Sequence, residues 1–115
     1  MIAKAPRAPK RLSESQAADG FAALGNRARL RLVKLLVRAG TEGLTVSDIG
    51  RLMHMPASTL AHHLAALVRA GLVTQERRGR EVICTADYAA IKGAAVYLTE
   101  QCCAGVAADA ETDAA

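Results

Sequence analysis

Cys102 and Cys103 are adjacent, and with Cys84 they supply every thiol in the chain. An odd number of cysteines argues against a disulfide framework, so free thiols and a cytoplasmic setting are expected. A single cysteine is commonly a small buried apolar residue, and Cys102 on an apolar helix face fits that reading. Neighbouring helical residues diverge by about 100°, so burial accounts for one member of a vicinal pair more easily than for both. Two adjacent thiolates near a helix end suit a large soft ion such as trivalent arsenic or antimony, with Cys84 as a candidate third ligand. Two thiols match a methylated trivalent arsenical, which has one bond taken by carbon, and three match arsenite or antimonite. Plain core cysteines and thiol oxidation remain the competing readings of the same residues.

A second constellation is polar. Ser58, Thr59, His62 and His63 fall within six residues, all with hydrogen-bonding side chains and none bulky, as a face that reads bases and phosphates requires. Arg77, Arg78 and Arg80 flank Gly79, and three guanidinium groups on a thin tip suit phosphates or a minor groove. The two histidines cannot face one groove equally or chelate one ion together. The bland reading is that one packs and the other is solvated, while Ser58 and His62, four apart, are the better contact pair.

These residues need elements to position them. Ser13 can cap a first helix to about residue 24, where Gly25 and Asn26 break the chain. A second helix over 27–38 sets Leu30, Val33, Leu36 and Val37 opposite Arg27, Arg31, Lys34 and Arg38. Thr45 and Asp48 give a capping signal for a third helix over 46–53. Pro56 suits the first position of a fourth, running to about residue 70. Residues 72–77 and 80–85 read as a hairpin turning at Arg78-Gly79. A last helix over 87–103 carries Ile91, Ala95, Leu98 and Cys102 as one stripe, long enough to call for a partner. Two short helices, a tight turn and a basic hairpin make a winged helix-turn-helix of order α-α-α-α-β-β-α, mainly α. Residues 13–104 form that domain, between a basic disordered arm at 1–12 and a disordered tail at 105–115.

Charge supports the division. Lys and Arg outnumber Asp and Glu by nine to two over residues 1–40, five to four over 41–85, and one to five over 86–115. A basic half attracts phosphate through counterion release, although a solvated basic face explains the same numbers. No apolar run reaches the length of a membrane span, and neither a signal peptide nor an anchor is expected. Gly-rich phosphate loops, a His-Glu-x-x-His pair and a cysteine beside a histidine are all missing, so an enzyme is not expected, nor an organic cofactor.

The run Phe21 to Leu36, Ser47-Asp48-Ile49, Pro56 through Leu64 and Ala70-Gly71-Leu72-Val73 resembles the ArsR/SmtB family of metal- and metalloid-responsive repressors. The resemblance spans about residues 13–103. It implies a homodimer built on the first and last helices, which binds double-stranded operator DNA and releases it on binding an inducer. It also implies a departure. The Cys-Val-Cys box of well-known members is replaced here by Thr45-Val46-Ser47-Asp48, and the last helix lacks the histidines of the zinc-type site. What remains is a variant metalloid site from the second wing strand and the C-terminal helix, with Cys84, Cys102 and Cys103 as ligands. Ligation would tether wing to dimer helix and shift the spacing of the recognition helices. A coupling of about 1–3 kcal/mol would suffice. A winged-helix module that binds protein instead of DNA is the alternative of a different class.

Overall fold

The computed structural model describes residues 8–107. The element order is α1 (Glu14–Leu24), α2 (Arg27–Ala39), a single 3-10 turn (Gly40–Glu42), β1 (Leu44–Thr45), α3 (Val46–Met53), α4 (Ala57–Arg69), β2 (Val73–Arg78), β3 (Glu81–Ala86) and α5 (Tyr88–Thr99). Each helix start has a local cause. The Ser13 hydroxyl accepts from the Gln16 N–H while the Gln16 side chain accepts from the Ser13 N–H, a reciprocal capping box. Asn26 and Thr45 cap α2 and α3 by accepting from the N–H of Arg29 and Asp48, and Asp87 caps α5 by accepting from Ala90.

The sheet is three-stranded and antiparallel in the order β1-β3-β2. Sequence patterning reveals β2 and β3 but not β1, because two residues are too few for any period to register. Leu44 pairs with Cys84 and Thr45 with Ile83. This close approach is possible because residue 43 is glycine with φ +67°, where a Cβ would collide with the Cys84 carbonyl oxygen. The hairpin turn sits one residue later than Arg78-Gly79. Arg78 pairs with Glu81, leaving Gly79-Arg80 as the two-residue turn, with φ +61° at Gly79.

Leu32 and Leu36 of α2, Ile49 of α3, Leu60, Leu64 and Leu67 of α4, Leu72, Val73 and Cys84 form the core. Burying such side chains stabilises by about 1.5–3 kcal/mol each. α1 and α5 lie side by side above this core. Their outer surface keeps Phe21, Ala95 and Leu98 exposed, Leu98 at 72%.

Residues 8–12, which the sequence reading places in the disordered arm, are laid along α5. The Lys10 N–H donates to the Ala89 carbonyl at 2.8 Å, and Lys10 Nζ pairs with Asp87 Oδ2 at 2.6 Å. The notch that admits them is Gly93, where a Cβ would meet the Lys10 carbonyl oxygen. The arm and tail assignments for residues 1–7 and 108–115 fall outside the described residues.

Candidate nucleic-acid interface and thiol pair

α3 and α4 are joined by His54, Met55 and Pro56. His54 adopts the left-handed conformation (φ 52°), and the Met55 N–H returns to the Gly50 carbonyl at 3.0 Å, which closes the turn tightly. Pro56 occupies the capping position, one residue ahead of the expected first helical turn, with φ −61° and extended ψ.

α4 buries Leu60, Leu64 and Leu67 and turns Ser58, Thr59 and His62 to solvent. Ser58 and His62 lie about 40° apart around the helix axis, so they share one face. His63 does not belong to that exposed face. Its ring is half-buried, and Nδ1 accepts a hydrogen bond from Arg29 Nε of α2 at 3.2 Å. Burial, then the Arg29 charge and the neighbouring His62, hold its pKa below the ordinary imidazole value. Arg29 is the residue that sequence reasoning missed. The signal was available, since Arg29 falls roughly 160° around α2 from Arg27 and Arg31, off the solvent stripe and toward the core side.

Arg77, Arg78 and Arg80 are exposed at the hairpin tip. Arg78 Nη2 pairs with Glu76 Oε1 at 3.1 Å, an exposed contact that a phosphate can displace at little cost.

The thiols divide. Cys84, on β3, is fully buried in the core, where the Gln75 amide approaches its sulfur at 3.6 Å. Burial pushes this thiol's pKa up, against the smaller opposing effect of Gln75. Cys102 and Cys103 are exposed, with Sγ atoms 3.3 Å apart. α5 ends at Thr99, earlier than residue 103, because the chain tightens into short turns. Cys102 N–H bonds to the Thr99 carbonyl, Ala104 N–H to Gln101, and Cys103 has φ 66°. Among the described residues no three His, Cys, Asp or Glu side chains are grouped to hold a metal ion, so the fold gathers two of the three thiols and leaves Cys84 in the core.

A helix-turn-helix domain model matches residues 24–76, the span from the end of α1 into β2. The chain is a winged helix-turn-helix protein. It is similar to an ArsR-like transcriptional regulator from Rhodococcus sp. RHA1 (26% identity, 85% of each chain covered, TM-score 0.66). It is similar also to the homodimeric winged helix-turn-helix DNA-binding domain of Mb0332 from Mycobacterium bovis, a possible ArsR-family regulator (28% identity, 86% of this chain and 83% of that one, TM-score 0.60). HlyU from Vibrio cholerae shares 25% identity over 77% of this chain and 94% of its own, with TM-score 0.61. No curated protein matches. The winged helix-turn-helix is a fold of transcriptional regulators rather than of enzymes, and among the described residues no helix is long and apolar enough to cross a membrane.

Proposed function

We propose that this chain is a cytoplasmic, homodimeric, DNA-binding transcriptional repressor of the ArsR type. The observation that carries this reading is the exposed Ser58–Thr59–His62 face of α4, followed in the chain by a hairpin with three exposed arginines at its tip. A helix with small polar residues enters a major groove, and a cationic hairpin meets the flanking phosphates. The homodimeric relative favours two copies, and the exposed Phe21 and Leu98 favour α1 and α5 as the surface that joins them. Fluorescence anisotropy with duplex DNA from upstream of the protein's own gene tests the reading. Affinity should fall steeply with added salt, and salt-independent or absent binding would favour a protein-interaction module instead.

The inducer we assign is trivalent arsenic or antimony, held by thiolates and releasing the DNA. The exposed Cys102–Cys103 pair fits this chemistry, because one soft ion can bridge two thiolates already 3.3 Å apart. Cys84 as it stands does not fit, since reaching it needs the core to open, and a two-thiol site favours a methylated arsenical over arsenite. The same spacing supports a second reading, in which a peroxide takes two electrons and two protons from the pair and leaves a disulfide. Titration of methylarsenite, arsenite, antimonite and hydrogen peroxide against the DNA complex separates the two.

A further inference from the structure

We propose that the hairpin meets DNA with one face only. Arg77 takes a backbone phosphate beside α4, while Arg78 is retained by Glu76 and Glu81 on the opposite face and makes no such contact. This rests on the DNA-binding reading above and divides the three arginines that it treats alike.

The division follows from strand register. Successive side chains of a strand point to opposite faces, and residues directly opposed in an antiparallel ladder share a face. Val73, Gln75 and Arg77 of β2 therefore stand on one face with their ladder partners Ala86, Cys84 and Val82 of β3. Glu76 and Arg78 stand on the other with Ile83 and Glu81. Burial tells which face is which. Val73 and Cys84 belong to the core, and Val82 and Ala86 are packed against it, so the first face is the one turned to the helices. β2 is the strand that α4 packs against. Arg77 is thus the last residue of the helix-facing row of β2 before the turn, and it is exposed there. Arg80 lies in the turn itself and belongs to neither row.

Charge separates the two faces further. The helix-facing rows of the hairpin contain no carboxylate, and Arg77 is their one charged residue. On the outer face Arg78 Nη2 pairs with Glu76 Oε1 at 3.1 Å, and Glu81 is its cross-strand partner. Two carboxylates against one guanidinium leave that face negative at the tip. The Arg78–Glu76 pair alone is cheap to break, but a phosphate that broke it would arrive beside both carboxylates. A phosphate beside α4 meets no such opposition at Arg77, and the counterion it releases there adds to affinity. The bland reading is that all three arginines form one diffuse positive tip. The two readings differ in which substitution changes the response to salt.

Arg77→Gln and Arg78→Gln are compared with wild type by anisotropy on two duplexes, one selected from a randomised pool by the wild type and one scrambled, over about 50–200 mM salt. Both positions are exposed at the hairpin tip, where such a change costs little stability. Arg77→Gln is expected to lose about tenfold in affinity on both duplexes and to lower the salt slope by about one per subunit. Arg77→Lys, which keeps the charge, is expected to restore the slope, and Arg78→Gln to keep the wild-type slope. A fall of slope in Arg78→Gln, alone or together with Arg77→Gln, overturns the division. So does a wild-type slope in Arg77→Gln, or a slope in Arg77→Lys as low as in Arg77→Gln. A wild type that binds neither duplex sinks the DNA-binding reading itself, whereas wild-type binding with any of those slopes sinks only the one-faced hairpin.

Discussion

The Lys10 carbonyl rests on Gly93 of α5 so closely that no side chain fits between them. The Lys10–Asp87 ion pair and the Lys10–Ala89 hydrogen bond hold the same segment down. Gly93→Ala sets two effects against each other. Alanine favours the helix by up to about 1 kcal/mol, while a methyl group against backbone costs about 1–3 kcal/mol. The expected outcome is a lower melting temperature and faster tryptic cleavage after Lys10 and Arg11. Unchanged cleavage would mean that the fit at Gly93 is not what holds the segment on α5.

Falling pH should weaken the fold through His63. Its folded pKa lies below the ordinary value of 6.5, so the unfolded chain takes up the proton more readily. The contribution is therefore full above pH 6.5 and is lost as pH falls toward the folded value. Protonation at Nδ1 also removes the acceptor that Arg29 uses. Denaturant melts at descending pH should show a smaller loss of stability in His63→Asn than in wild type.

Cys84→Ser places a hydroxyl in the core, at a cost of about 1–3 kcal/mol. Because Cys84 stands apart from the exposed pair, release of DNA by methylarsenite is expected to survive that substitution and to fail in Cys102→Ser or Cys103→Ser. Loss of release in Cys84→Ser, in a protein that still binds DNA, would restore a three-thiol site.

Thr45→Ala removes the cap of α3, and a loss of about 1 kcal/mol is expected in denaturant melts. Thr45→Ser should retain most of it, which separates capping from packing of the methyl group.

Much of this architecture is legible in the sequence because four of the five α-helices described begin at a residue whose side chain caps them. Ser13, Asn26, Thr45 and Asp87 all cap where local chemistry places them. The exposed positions Ser58, Thr59 and His62 follow equally from the spacing of Leu60, Leu64 and Leu67 around α4. What escapes is tertiary. β1 exists only through its pairing with β3, and the Arg29–His63 contact joins residues 34 positions apart. The thiols escape for the same reason, since nothing local in the segment around Cys84 tells that its sulfur faces the core, away from residues 102 and 103.

Thr45 belongs to two structures at once, the rim of the sheet and the head of α3. The hairpin and the helix pair are consequently coupled both at this residue and through the core that Ile49, Leu67, Val73 and Cys84 share. In the proposed dimer, a signal that reached the hairpin would therefore be passed to α3 and α4 of the same copy through Thr45 and that shared core.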